Sequence, residues 1–141
     1  MNRGGDFVVV PEHRLVIERF INVIDLETVQ RMSFAIWDHP DYDKYYQGIV
    51  DLRDAKMNVS ILDMVKLVRF FIKHDQTVRS ILVIIANKSS SIAWAFVYKE
   101  RIASIMNVHV VQSEESATAQ LGLSSEVFDL INSERATQVR F

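Results

Sequence analysis

The chain has 141 residues, 49% of them hydrophobic, with four glycines, two prolines and no cysteine. A domain of this size buries roughly 68–70% of its unfolded surface, and so little Gly and Pro argues against disorder, collagen-like repeats and loop-rich all-β folds. A formal charge of −2 gives no global bias toward nucleic acid or anionic membranes, and without cysteine there is no disulfide, thiol nucleophile or thiolate-bound metal.

The first apolar, β-branched run, 7–10, is broken by Pro11, Glu12 and His13 and resumes over 15–21 with Val16, Ile17 and Phe20. Two such runs with a tight break predict a β-hairpin. Asp25 then reads as an N-cap: Leu26, Val29, Met32, Ser33, Ile36 and Trp37 recur at helical spacing behind it, and Glu27 suits the first turn. His39-Pro40 ends this helix, because the residue before proline avoids the α region, and 38–46 reads as a loop. Ile49 and Val50 mark a short strand at 48–52, and Ser60 is placed to cap a helix over 61–74.

Five consecutive apolar residues, Ile81 to Ile85, lie in a predicted strand at 80–86 that is covered on both faces and central in the sheet. A polar turn at 87–91 leads into a third helix over 92–106, and 108–111 is a short strand. Ser113 caps a fourth helix with Glu114 and Glu115 in its first turn and Gly122 just past its end. One more short helix is expected at 124–133, before a polar tail. The order ββαβαβαβα predicts an α/β fold: a mixed, mostly parallel sheet of about five strands with crossover helices. We expect a single domain over 1–141, with its core at 7–123 and a helical extension and tail at 124–141.

Residues 1–6 are polar and glycine-rich without the apolar stretch of a secretory signal. The longest apolar runs, 80–86 and 92–98, are too short to span a bilayer. The expected location is therefore the cytoplasm, with neither a membrane span nor nucleic-acid binding.

Three stretches sharpen the order of elements into a resemblance: Asp38-His39-Pro40-Asp41-Tyr42, Gly48-Ile49-Val50-Asp51-Leu52-Arg53-Asp54-Ala55, and Val110-Val111-Gln112-Ser113-Glu114-Glu115-Ser116-Ala117 closing at Leu121-Gly122. Over 7–123 the chain resembles the STAS domain, in particular a bacterial SpoIIAA-like group described as related to lipid-transfer CRAL-TRIO domains. The resemblance implies a non-enzymatic domain of the anti-sigma-factor-antagonist type. Such antagonists carry Asp-Ser-Ser-Gly at the start of a helix, with the second serine phosphorylated. The matching stretch here is Val59-Ser60-Ile61-Leu62, so the phosphoacceptor position is Ile61. Ser60 is expected to act as a helix cap, and no phosphorylation site is expected.

None of His13, His39, His74 and His109 lies within three to five residues of another, and no carboxylate completes a metal-ligand pattern, so no metal or cofactor is expected. Asp38, Asp41 and Asp43 surround His39, but the glycine and terminal Glu of a calcium loop are missing and a solvated turn is expected. Asp51, Arg53, Asp54 and Lys56 close one predicted strand, and Asn87, Lys88, Ser89, Ser90 and Ser91 follow another. Ligands in open α/β sheets favour the carboxyl ends of strands. Arg53, Lys88, Ser89, Ser90 and Ser91 are accordingly candidates for contact with an anion or other ligand, with serine capping and ordinary solvation as the competing account. Asp51 and Asp54 have no spacing that singles them out for acid–base work, and no catalytic residue is expected.

The third helix is apolar all round over 92–98, where a helix on one sheet face should show a polar side. Trp94, Val97 and Tyr98 are therefore candidates for the centre of an interface, most simply that of a symmetric homodimer. Two functions from different classes follow. One is a binding or regulatory domain that self-associates or contacts another protein. The other, implied by the likeness to CRAL-TRIO domains, is a carrier or sensor of a small apolar or lipid-like ligand held between helices and sheet.

Overall fold

A computed structural model describes residues 3–75 and 81–141. Ser80, expected to open the buried strand, and Met1 and Asn2 of the polar start lie outside the described residues. The apolar runs form the predicted hairpin: β1 (Gly4–Val10) lies antiparallel to β2 (Leu15–Phe20) across a 3₁₀ turn at Pro11–His13, and Arg14 turns the corner at a left-handed φ of 51°. A three-residue strand, β3 (Asn22–Ile24), precedes α1 (Leu26–Trp37). The Asp25 carboxylate caps α1 by accepting from the Thr28 N–H at 2.8 Å and the Thr28 hydroxyl at 2.6 Å.

β4 (Gln47–Asp51) and β5 (Ala55–Met57) lead to α2 (Ile61–His74). There the Ser60 hydroxyl accepts from the Asp63 N–H at 3.0 Å while the Asp63 carboxylate accepts from the Ser60 N–H at 3.3 Å. This reciprocal box satisfies two donors that the helix start would otherwise orphan. β6 (Ile81–Ile85), α3 (Ser89–Ile102), β7 (Asn107–Val111), α4 (Glu114–Leu121), a 3₁₀ segment at Ser125–Asn132 and β8 (Thr137–Arg140) complete the chain.

The main sheet has six strands in the order β7-β6-β4-β2-β1-β8, and β3 pairs with β5 in a separate ribbon. Pairs β2–β4, β4–β6 and β6–β7 are parallel, while β1 is antiparallel to both its neighbours. The expected mixed, mostly parallel sheet is present with one more strand than anticipated. That strand, β8, forms from the expected polar tail. It is held by its ladder to β1 and by Asp6, whose carboxylate receives Arg140 and Arg19 at 2.9 Å each. β6 is covered on both faces but sits second from one edge rather than centrally, because β7 adds only one further strand beyond it.

Strand alternation divides the interior in two. Phe7, Val16, Phe20, Leu82, Ile84 and Val108 face α1, α2 and α3 on one side. Val8, Leu15, Ile17, Ile49, Val83 and Ile85 face α4 and the 3₁₀ segment on the other, against Ala117, Val127, Phe128 and Ile131. The third helix begins earlier than predicted, since Ser89 and Ser90 already lie in its first turn, and ends at Ile102.

Candidate functional site

The alternation of β2 sends Val16, Glu18 and Phe20 to the face beneath α1–α3. Glu18 therefore sits in the middle of the sheet, opposite Phe7 of β1 and Val50 of β4. One row back, Val16 pairs with Gly48, which adds no side chain over that part of the sheet. Space opens there between the sheet and the helices, roofed by Val29, Ser33, Ile36 and Trp37 of α1, Leu67 and Phe71 of α2, and Trp94 and Tyr98 of α3. The centre of a water molecule can occupy about 100 Å³ of it, within about 820 Å³ of atom-free space that includes the part continuous with solvent.

Few polar groups line this apolar cavity, and three of them have no hydrogen-bond partner among the described residues. Among the described residues Glu18 accepts no hydrogen bond and forms no ion pair, and burial pushes its carboxyl up to about 7. The Trp94 Nε1–H is buried without an acceptor. Tyr98 is 4% exposed and its hydroxyl makes no hydrogen bond with the described residues. Burial first, and the Glu18 charge second, raise its pKa. The Trp94 and Tyr98 rings stack at 5.2 Å. Ser33, by contrast, is satisfied, its hydroxyl donating to the Val29 carbonyl at 2.8 Å. Among the described residues no Lys, Arg or His belongs to the lining. Leaving a buried donor unpaired costs about 1–3 kcal/mol, and folded proteins rarely tolerate it without cause. A small, mostly apolar pocket with a few convergent polar groups and one perturbed carboxyl is the usual form of a ligand site.

The strand-end candidates are differently disposed. Arg53 is not free for an anion: it donates to both Asp51 oxygens, at 2.9 Å and 2.8 Å, and reaches Glu114 at 3.4 Å, and its pKa is raised chiefly by the bond to Asp51. Ser91 is buried, and its hydroxyl donates back to the Lys88 carbonyl at 3.0 Å. Lys88, Ser89 and Ser90 are exposed at the start of α3, Asp54 lies on the surface, and Lys56 is exposed on β5. Asp51 is 4% exposed, and its pairing with Arg53 is the strand-end salt bridge.

The interface candidates belong to the domain's own interior. Trp94 and Tyr98 line the cavity, and Val97 packs against the same core, because that side of α3 lies on the sheet. The outward residue of this turn is Phe96, 48% exposed.

His39 packs edge-on to Phe7, its Nδ1 accepting from the Asp41 N–H at 3.1 Å. His74 joins Phe34, Trp37 and Phe70 in an aromatic cluster between α1 and α2. His13 is exposed in the hairpin turn, and His109 lies on β7. Asp38, Asp41 and Asp43 are exposed. Among the described residues no three His, Asp or Glu side chains come together as a metal site, and no helix is long and apolar enough to cross a membrane.

Glu18 escaped the sequence reading. The available signal was its position between Val16 and Phe20 in a strand apolar on both faces, which leaves a carboxylate no polar side to occupy.

No family model and no curated protein matches the chain. Among solved structures it is similar to a DUF3478-family protein with a SpoIIAA-like fold from Shewanella loihica PV-4, with a TM-score of 0.54 at 10% identity, covering 76% of this chain and 83% of that one. At this identity the likeness speaks for the fold alone: the chain has a SpoIIAA-like fold.

Proposed function

We propose that the protein is a non-enzymatic binding domain that holds a small, mainly apolar ligand in the cavity between its sheet and α1–α3. One observation carries this reading: the buried, unpaired Trp94 Nε1–H lies in the same apolar lining as the unpaired Glu18 carboxyl. A ligand that supplies partners to such groups gains hydrogen bonds that the empty domain lacks.

Native mass spectrometry of the purified chain, with uptake of 2-phenylethanol followed by NMR, tests the reading. The wild type is expected to carry an extra small-molecule mass or to take up the alcohol. Gly48→Leu, which fills the floor of the cavity, should do neither while remaining folded. A wild type without bound mass and without uptake contradicts the proposal.

Self-association is a second reading, favoured by the large apolar residues exposed on the helices: Ile61, Leu62 and Ile72 on α2 and Phe96 on α3. These replace Trp94, Val97 and Tyr98 as its candidates. Sedimentation at micromolar concentration decides it, a monomer ruling it out.

A further inference from the structure

We propose that the cavity selects a small organic cation, a protonated primary amine on an apolar body, with its ammonium against the Glu18 carboxylate and its apolar part against the Trp94–Tyr98 stack. This rests on the cavity being a ligand site and specifies what the site takes.

Charge is the first argument. Among the described residues Glu18 is the single acidic residue of the lining, and no Lys, Arg or His accompanies it. An anionic ligand would meet a like charge where solvent screens poorly, with neutral donors as its sole compensation. A neutral ligand would leave the carboxylate without a counter-charge. A cation supplies the missing one. The aromatic lining is the second argument: Trp37, Phe71, Trp94 and Tyr98 present ring surfaces, and ammonium groups are attracted to aromatic faces. Size is the third. The cavity's about 100 Å³ approaches the roughly 150 Å³ that takes a benzene ring, and it continues into space open to solvent, which suits a compact apolar body. The Trp94 Nε1–H remains available to an acceptor atom on the same ligand.

Protonation follows from the same geometry. The carboxyl is held near 7 by burial, so an ammonium that binds at or below neutral pH displaces the Glu18 proton. Among the described residues the lining brings no second carboxyl, amine or imidazole to it. α1 contributes Val29, Ser33, Ile36 and Trp37, and α2 contributes Leu67 and Phe71. The flanking strands place Phe7 and Val50 beside it. Among the described lining residues its titratable neighbours are Tyr98 of α3, whose pKa is raised, and Tyr42 of the loop after α1.

Calorimetric titration of the intact chain with 2-phenylethylamine, 2-phenylethanol and phenylacetate tests the proposal, since the three differ mainly in charge. At pH 8 the amine should bind at least about tenfold more tightly than the alcohol, with phenylacetate weakest. Glu18→Gln should cost the amine about tenfold while leaving the alcohol within about twofold. In the wild type, amine affinity should fall about thirtyfold from pH 8 to pH 5.5 as Glu18 takes up its proton, because the ammonium stays charged throughout. The pH series gives its answer without any substitution, so a poorly folded variant leaves the test intact. Equal affinities for amine and alcohol, insensitive to pH, overturn the cation proposal and leave the cavity reading standing. Tightest binding of phenylacetate also overturns it. Binding of none of the three by a chain that carries no bound mass overturns both.

Discussion

Trp94 and Tyr98, one helical turn apart on α3, stack with their ring planes only 9° from parallel, and among the described residues neither polar group has a hydrogen-bond partner. The pair presents a flat aromatic wall to the cavity rather than to solvent. A charge at Trp94 would thus be buried inside the domain. Trp94→Asp is expected to destabilise the fold by at least about 3 kcal/mol, whereas Phe96→Asp on the outward side should stay within about 0.5 kcal/mol. Urea unfolding followed by circular dichroism checks both. A Trp94→Asp protein as stable as the wild type would return this residue to the surface.

Glu18 makes stability depend on pH in a direction unusual for a carboxylate. Its folded-state value, about 7, lies above the ordinary 4.5, so the folded chain holds the proton more tightly than the unfolded chain does. Stability is full below about pH 4.5 and declines as pH rises toward 7, after which this contribution levels off. The shift corresponds to about 3 kcal/mol. Glu18→Gln should therefore be more stable than the wild type at pH 8 by up to about that amount, with the advantage vanishing near pH 4.5. Urea titrations at the two pH values measure it, and a pH-independent difference would remove the burial account.

Asp6 ties the last strand to the sheet. It is 5% exposed and shared between Arg19 and Arg140. Asp6→Asn should cost about 1–3 kcal/mol, because two guanidinium groups lose their counter-charge. Faster amide exchange over 137–140, with the parallel strands unaffected, should accompany it. Unchanged protection there would mean that the backbone ladder alone holds β8.

Ser60→Ala removes half of the capping box of α2 and should cost about 0.5–2 kcal/mol without altering uptake of 2-phenylethanol. Thermal melts and the NMR titration check the two halves of this expectation. A loss of uptake would connect the start of α2 to the cavity.

Elements with strong local signals were legible in the sequence. The hairpin, the buried β6 and the helix starts at Asp25, Ser60 and Ser113 each follow from a β-branched run or a capping side chain. Gly122 closes α4 at φ 68°, as a C′ glycine does. The three-residue β3 and β5 were missed because so short a segment carries no period. β8 was missed because its Thr-Gln-Val-Arg sequence looks like a polar tail, and its pairing with β1 depends on Asp6, more than a hundred residues away. The apolar circumference of α3 fits either an external partner, the reading preferred from sequence, or cover by the domain itself. Its explanation is internal: Ala95, Tyr98 and Ile102 are buried, Trp94 faces the cavity, and Phe96 alone of its large apolar residues stands well out in water. The cavity was not legible, because it arises where Gly48, Glu18 and three helices meet, and no local stretch of sequence contains that meeting.

The mounting of Glu18 separates how tightly a ligand is held from how quickly it arrives. Its strand is flanked on both sides, and the reverse of that strand is anchored by Leu15 and Ile17 in the second core. The carboxyl thus sits on a nearly immobile floor and needs little rearrangement to meet its partner, which favours affinity. The cavity is already continuous with solvent, so arrival depends on the width of that opening and not on Glu18. Widening the opening would hasten arrival and departure together and leave the equilibrium nearly where it was.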